Sequence, residues 1–252
     1  MKNEKTRKLT LIGMLGAISI VLGMTPLGFI PLGPVNYTIM HIPVIIGAIV
    51  GGPVVGASVG LIFGCSSLLK AITTPTIMSP FFLNPLVSIL PRIAIGLITY
   101  YIYKLFNKLG KKYSLVIATC TVFSAIVYLI YRLVNDSKAY MIDGNGIYGI
   151  IMNCVILVIL FATSFYSYKK FRKDAIDVVL SAAIGSLSNT VLVLGMLYIL
   201  YAQAFVEKLG MTGEVASSVF LTIAVSNGIP EMILSMALVT SIVLALKKNK
   251  QN

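Results

Sequence analysis

Eight long apolar stretches are the feature that most restricts how this chain of 252 residues can fold. They cover about 8–24, 37–51, 53–70, 84–106, 113–134, 147–168, 175–201 and 217–246. A helix needs about 20 apolar residues to cross the ~30 Å hydrocarbon core of a bilayer, and most of these stretches reach or approach that length. Because 58% of the residues are hydrophobic and 11% are charged, there is too little polar surface for a water-soluble protein. The sequence therefore predicts an all-α integral membrane protein with about eight spans.

The positive charges, which give a net charge of +12, lie in four short patches between the apolar stretches. The patches are Lys2/Lys5/Arg7/Lys8, Lys104/Lys108/Lys111/Lys112, Lys169/Lys170/Arg172/Lys173 and Lys247/Lys248/Lys250. With eight spans, all four patches fall on one side, and an excess of Lys and Arg marks the cytoplasmic side. We therefore expect a cell-membrane protein with both termini in the cytoplasm, and no nucleic acid partner. No A-x-A-like cleavage site follows the first stretch, so we expect it to remain as a membrane helix.

The motifs of several reaction types are missing from the sequence. There is no G-x-x-x-x-G-K-[ST] motif for ATP and no H-E-x-x-H motif for zinc, and we find no paired carboxylates suited to acid–base catalysis. Cys65, Cys120 and Cys154 lie in apolar stretches without the spacing of metal ligands, so we expect them to be packing residues. The sequence thus predicts a protein that is not an enzyme, holds no metal or cofactor, and cannot hydrolyse ATP by itself.

Stretches 113–134 and 147–168 differ from the others, because they are rich in aromatic residues and carry no charge that we expect inside the membrane. They are typical of an inserted hairpin rather than of a functional core. We predict a single membrane domain, in which about 1–107 and 174–252 form the core and about 108–173 form the inserted helical hairpin.

Two predicted external segments, 25–36 and 71–83, contain several prolines yet are apolar. A loop in water gains little from large aromatic side chains such as Phe29 and Phe81. We therefore expect both segments to fold back, either as lids over a pocket or as loops that dip into the membrane.

Two charged residues, Arg92 and Glu231, lie well inside apolar stretches. A guanidinium group in hydrocarbon costs at least about 2.5–3.5 kcal/mol, so such charges are either paired or used in function. Four other polar side chains are predicted at a similar depth in the membrane: Asn84, Asn189, Asn227 and His41. Asn36 and Tyr37 are predicted where segment 25–36 joins the next helix.

The prolines in Leu90-Pro-Arg and Asn227-Gly-Ile-Pro are expected to break their helices and to free backbone groups beside these side chains. Broken helices with polar groups near mid-membrane are typical of substrate sites in transporters. The alternative is structural, with an Arg92–Glu231 ion pair and asparagines that join neighbouring helices.

Small residues recur at every fourth position of the third stretch, at Gly52, Gly56, Gly60 and Gly64. Such a face lets another helix backbone approach closely, and here we expect internal packing. The first stretch carries a second small face, formed by Gly13, Gly16 and Ala17. Because an opening helix is often peripheral, this face is a candidate for docking to another membrane protein, with internal packing as the alternative.

Five segments of the chain resemble the substrate-binding S components of energy-coupling factor (ECF) vitamin transporters, most closely the pantothenate-type members. The segments are 25–36 (TPLGFIPLGPVN), 40–49 (MHIPVIIGAI), 90–96 (LPRIAIG), 185–195 (GSLSNTVLVLG) and 227–231 (NGIPE). The resemblance covers about 1–107 and 174–246. Members normally have six helices, which match the first four and last two stretches here, so 108–173 departs from the family pattern.

The resemblance implies a vitamin-binding subunit that depends on other subunits for ATP hydrolysis. Members bind the vitamin near the outer face, beneath the first and third loops. They dock through small residues of the first helix, matched here by Gly13 and Ala17, onto a transmembrane scaffold subunit that two cytoplasmic ATPase subunits drive. The S component is expected to topple in the membrane lipid and so to carry its pocket inward.

The first hypothesis is therefore an S component that binds pantothenate. Arg92 would hold the carboxylate with two parallel hydrogen bonds, and Glu231 would accept from a hydroxyl or orient Arg92. The remaining predicted contacts to the vitamin are Asn189, Asn227, Asn84, His41, Asn36 and Tyr37.

Two other functions stay open at this point. The same scaffold could bind a pyridoxine-like or pyrimidine precursor, in which case Arg92 would pair with Glu231. In another class altogether, the chain would be a non-transporting membrane scaffold that assembles through its glycine faces. Lys- and Ile-rich composition favours a Gram-positive-type bacterium as the source.

Overall fold

The computed structural model describes residues 2–25, 28–32, 35–76, 78–109, 111–143, 147–170, 174–210 and 215–248. In chain order the elements are α1 (Lys2–Met24), β1 (Phe29–Leu32), β2 (Val35–Thr38), α2 (Ile42–Gly51), α3 (Pro53–Thr73), α4 (Ser79–Phe82), α5 (Pro85–Ser88), α6 (Leu90–Lys108), α7 (Lys111–Asp143), α8 (Ile147–Lys170), α9 (Asp174–Lys208) and α10 (Ala216–Lys248). Apart from one short hairpin of β1 and β2, these elements are helices. The predicted helical class is confirmed.

Within the described residues, six helical segments are long and apolar enough to cross a membrane. They are α1, α3, the pair α5–α6, α7, α9 and α10. The other two predicted spans also form helices, but α2 has 10 residues and is only about 15 Å long. The apolar helical part of α8 covers Gly149–Ala162. The multi-pass membrane fold is confirmed, whereas the predicted count of eight spans is not.

Segment 25–36 contributes to a β-hairpin instead of an irregular loop. β1 and β2 pair antiparallel, with Phe29 opposite Thr38 and Leu32 opposite Val35. The pairing satisfies backbone groups that lipid cannot satisfy. The predicted stretch 37–51 is therefore divided, since its first residues end β2 and its helix begins at Ile42.

The short helix α2 lies at the centre of the fold. Every residue of 42–49 is buried, and α2 contacts α1, α3, α6, α9 and α10. A helix that is apolar on all sides needs such surroundings. Gly52 follows with a φ of 91°, and this tight turn allows Pro53 to start α3.

Gly56, Gly60 and Gly64 of α3 pack closely against α6 or the residue just before it, which confirms the prediction of internal packing for these three. Gly52 does not belong to that face, because it forms the turn before α3 and a Cβ there would have no described atom within 4 Å. A Cβ on Gly60 would collide with the backbone carbonyl of Arg92, and a Cβ on Gly64 would lie 2.7 Å from the Cα atom of Ile89. Gly56 faces α2 and α6 in the same way. These contacts hold the start of α6, and with it Arg92, close to α3.

We expect Gly60→Ala to destabilise the folded protein by about 1–3 kcal/mol, as overpacked interiors generally do. The added methyl group would meet backbone atoms of Arg92 and Ile93, which cannot rotate away. Gly195→Ala in α9 is the matched control, because a Cβ there has no atom of the described residues within 4 Å beyond its own helix backbone. Thermal unfolding in detergent compares the two variants, and equal melting temperatures would contradict the close α3–α6 contact.

Helix α1 is the least buried of the six spanning segments, and α10 is the most buried. Gly13 and Ala17 lie one turn apart on its exposed face. Gly16 does not share that face, because it packs against α3, where a Cβ would come within 2.7 Å of the Ile62 side chain. Its prediction as a docking residue is corrected, and Gly13 and Ala17 remain as the exposed small pair.

Helix α7 packs on α8 and α9, and α8 packs on α9 and α10. Leu129 of α7 and Ile156 of α8 belong to one buried cluster with Ile233 of α10. Helix α7 extends to Asp143 and so runs well beyond the predicted end of its stretch near 134. The division into a core and an inserted hairpin stays a prediction.

The three cysteines are free and exposed on helix surfaces. Their prediction as packing residues is wrong. In a membrane, lipid can take the place of a protein packing partner, so an apolar stretch does not by itself place a cysteine in the interior.

Candidate functional site

Arg92 is buried at the start of α6, with its side chain 7% exposed. Pro91 has no N–H to give to the Val87 carbonyl one turn earlier, and the helix is interrupted between α5 and α6, as predicted. Nη1 of Arg92 donates to that Val87 oxygen at 2.6 Å. The guanidinium carbon lies 5.4 Å from the centre of the Phe63 ring and 5.7 Å from that of Phe82. The cation is thus held by one carbonyl and two aromatic rings.

Glu231 of α10 holds the end of the β-hairpin. Its side chain is 6% exposed, and Oε1 accepts hydrogen bonds from the Thr38 backbone N–H at 2.7 Å and the Thr38 hydroxyl at 3.0 Å. Arg92 donates elsewhere, to Val87, and the two described side chains form no ion pair with each other. The Arg92–Glu231 pair that the sequence left open as an alternative is therefore not formed.

His41 connects the start of α2 to α9. Its ring is 1% exposed, and Nε2 lies 3.0 Å from Ser186 Oγ. Thr38, which binds Glu231 of α10, is three residues earlier. The four-residue β2–α2 corner, 38–41, is therefore bonded to both of the last two long helices.

Two of the predicted asparagines lie where α9 and α10 approach each other. Asn189 follows Ser186 by about one helical turn, and the hydroxyl of Ser226 donates to Asn227 Oδ1 at 3.3 Å. The approach is close, since a Cβ on Gly228 would lie 3.1 Å from the Thr190 side chain. Asn189 and Asn227 are both partly exposed.

Several buried polar atoms around this region have no hydrogen-bond partner in the described part of the chain. They include His41 Nδ1, Arg92 Nε, Asn189 Oδ1 and Thr190 Oγ1. An unsatisfied buried polar group costs about 1–3 kcal/mol, and native proteins keep few of them. The set combines a cationic donor with neutral acceptors and a hydroxyl, and therefore suits a small ligand that carries an anionic group together with hydroxyl or amide groups.

Asn84 makes two hydrogen bonds within the protein, and its predicted contact to the vitamin stays a prediction. Its Oδ1 accepts from the Leu86 backbone N–H at 3.0 Å and caps α5. Its Nδ2 donates to the Tyr201 hydroxyl at 3.0 Å. Asn36 and Tyr37 lie in β2, but their side chains fall outside what the structure describes, so their predicted contacts stay predictions.

The second predicted external segment, 71–83, folds back onto the protein. It includes α4, in which Phe81 is 5% exposed. The Phe81 ring lies 5.3 Å from that of Tyr201 and 5.6 Å from that of Phe205, both in α9. The Phe82 ring contacts the Arg92 guanidinium, so α4 lies against Arg92, and the predicted lid stays a prediction.

The prediction for α7 and for the proline of α10 needs correction. The break predicted at Pro230 does not occur, because α10 continues through that residue.

Arg132 lies in the stretch 113–134, which is predicted to carry no charge inside the membrane. Its Nη1 donates to the Ser226 carbonyl of α10 at 3.3 Å. Tyr128 donates to the Val225 carbonyl at 3.1 Å. Pro230 signals a free carbonyl four residues earlier, but no pattern in the sequence shows where its donor comes from.

Buried, partly unsatisfied polar groups within a multi-pass helical protein are typical of membrane proteins that bind or transport small molecules. Residues 7–141, just over half of the chain, match the family model of the ECF transporter, substrate-specific component. The chain therefore belongs to the substrate-specific components of ECF transporters. It is a transport subunit of the cell membrane that works with an ECF module.

Two similar proteins carry names that state a substrate. The pantothenic acid transporter PanT of Lactococcus lactis subsp. cremoris (strain MG1363) is 28% identical over 198 residues, which cover 69% of this chain and 100% of that protein. The pantothenate transporter PanT of Leuconostoc mesenteroides subsp. mesenteroides is 40% identical over 104 residues, which cover 39% of this chain and 51% of that protein.

Proposed function

We propose that this chain is the pantothenate-binding component of an ECF importer. Both similar proteins described above are named as transporters of pantothenate. Pantothenate carries one carboxylate, one amide and two hydroxyls, which is the combination that the unsatisfied atoms of the site suit.

Arg92 is the observation that carries this assignment. It is a buried cation without a carboxylate partner among the described residues, it contacts Phe82 of α4 and Val87 of α5, and Nε is free to donate. A guanidinium offers five N–H donors in a planar fork, and Nη1 uses one of them on Val87. The remaining edge can hold a carboxylate with two hydrogen bonds.

The amide and hydroxyls of pantothenate would be bound mainly by α9 and α10. Among the described residues, Asn189 has an unsatisfied oxygen, and Asn227 makes only a long hydrogen bond to a neighbouring serine. His41 Nδ1 is available on the other side of its bond to Ser186. Glu231 acts indirectly, because it holds Thr38 and with it the β-hairpin.

Both termini are proposed to lie in the cytoplasm, so that the β-hairpin and α4 face the outside, where the vitamin is captured. The exposed pair Gly13 and Ala17 on α1 would dock onto a transmembrane scaffold subunit that two cytoplasmic ATPase subunits drive. Reorientation of the chain against that scaffold would deliver the vitamin inward. The two similar proteins come from Gram-positive bacteria, which supports a source of that type.

Isothermal titration of the purified protein with a panel of vitamins tests the substrate. We expect pantothenate to bind at a ratio of one per chain and to raise the melting temperature. Pyridoxine and pyrimidine precursors serve as competitors of similar size. Preferential binding of one of these compounds would identify that compound, instead of pantothenate, as the substrate. If no member of the panel raises the melting temperature, a membrane scaffold without transport function is favoured.

A further inference from the structure

The carbonyl of Ser226 in α10 has lost its ordinary helical partner. In a regular helix it would accept from the N–H four residues later, but that residue is Pro230, which has none. Helix α10 nevertheless continues from Ala216 to Lys248. At membrane depth an unsatisfied carbonyl is costly unless another group donates to it.

Helix α7 supplies the donor. Arg132 Nη1 lies 3.3 Å from the Ser226 oxygen, and one turn earlier the Tyr128 hydroxyl donates to the Val225 carbonyl at 3.1 Å. The two donors are four residues apart on one face of α7, and the two carbonyls are adjacent on α10. The contact is therefore a two-point attachment of α7 to the backbone of α10.

The same chemistry occurs at the binding site itself. There Pro91 leaves the Val87 carbonyl without an amide, and Arg92 donates to it. In both places a proline frees a carbonyl, and an arginine satisfies it. Arg92 comes from the same helical segment, whereas Arg132 comes from a helix 94 residues away in the chain.

We propose that Arg132, assisted by Tyr128, is a positioning residue for substrate binding, which rests on the proposed function. The two side chains fix the backbone of Val225 and Ser226, and the next turn of α10 carries Asn227 and Glu231. Arg132 thereby sets where Asn227 meets the ligand and where Glu231 holds Thr38. This gives the α7–α8 pair a function in binding.

A double-mutant cycle with Pro230 tests this role. We expect Arg132→Met to weaken pantothenate binding roughly tenfold, as loss of a charge-assisted hydrogen bond implies, and Arg132→Lys to retain most of the affinity. Pro230→Ala restores an N–H for the Ser226 carbonyl. In that background Arg132→Met should change affinity less than about twofold, whereas an Arg132 that acted only through packing would show the same loss in both backgrounds.

Hydrogen–deuterium exchange gives a readout that needs no vitamin. Arg132→Met should speed exchange of the α10 amides in 226–232, and Pro230→Ala should suppress that change. Lys138→Met is the matched control, since it removes a cation from an exposed position of the same helix, and it should leave both exchange and affinity unchanged.

The two readouts separate the failure of the positioning role from that of the proposed function. If the unmodified protein does not bind pantothenate, the proposed function fails, and exchange alone decides the role of Arg132. Unchanged exchange in Arg132→Met, or a loss of affinity that Pro230→Ala does not suppress, would overturn the positioning role. If Arg132→Met does not fold, Tyr128→Phe and Arg132→Lys enter the same cycle.

Discussion

Replacement of Arg92 by alanine is expected to weaken pantothenate binding by about 100-fold or more. Removal of one partner from a buried, hydrogen-bonded charge pair costs about 2–5 kcal/mol, and about 1.4 kcal/mol corresponds to a factor of ten. In Arg92→Ala the vitamin carboxylate would lose the buried guanidinium that we propose as its partner. Isothermal titration of the variant measures the loss.

Arg92→Lys separates charge from shape. Lysine keeps the positive charge but has no planar fork, so we expect an intermediate loss of roughly tenfold. Arg7→Met is the matched control, because it removes an exposed arginine that bonds only weakly, at 3.5 Å, to Val50. Melting temperatures without vitamin show how much of each effect is a loss of folding. Full affinity in Arg92→Ala would remove Arg92 from the site.

Replacement of Glu231 by alanine is expected to release the β-hairpin and to raise the dissociation rate of pantothenate roughly 10- to 100-fold. Its carboxylate accepts two hydrogen bonds from Thr38, and bonds to a charged group contribute about 1.5–3 kcal/mol each. Glu231→Gln keeps one acceptor oxygen and should have a smaller effect. Stopped-flow release of bound vitamin gives the rates.

Thr38→Val tests the same contact from the other side. It removes the hydroxyl but leaves the backbone N–H, so we expect it to raise the dissociation rate by less than Glu231→Ala. In the Glu231→Ala background it should have no further effect, because the hydroxyl has then lost its acceptor. Additive effects of the two changes would show that Glu231 acts on the vitamin without Thr38.

Local chemistry explains which parts of this fold could be predicted from the sequence. The spacing of Gly56, Gly60 and Gly64 is a helical period, and it correctly predicts close packing. Pro91 correctly predicts the interruption before α6, since the missing N–H is a property of that residue alone. The four basic patches and the long apolar stretches are enough to predict a multi-pass membrane protein.

Contacts between distant parts of the chain could not be predicted in the same way. Thr38 and Glu231 are 193 residues apart, and nothing near either residue specifies the other. Pro230 has the same local chemistry as Pro91, yet α10 continues through it, so a proline alone does not decide whether a helix is interrupted. Asn84 looks like a ligand contact by type, but its side chain caps α5 and meets Tyr201.

The ten-residue helix α2 has a consequence for how the site responds to its surroundings. A helix of that length could not match the thickness of a bilayer, and in contact with lipid it would have to tilt or thin the membrane. Because other helices surround it, α2 is insulated from hydrophobic mismatch. The depth of the β2–α2 corner is thus set by protein contacts, so a movement of the whole chain within the bilayer would carry the corner along without a change in its geometry.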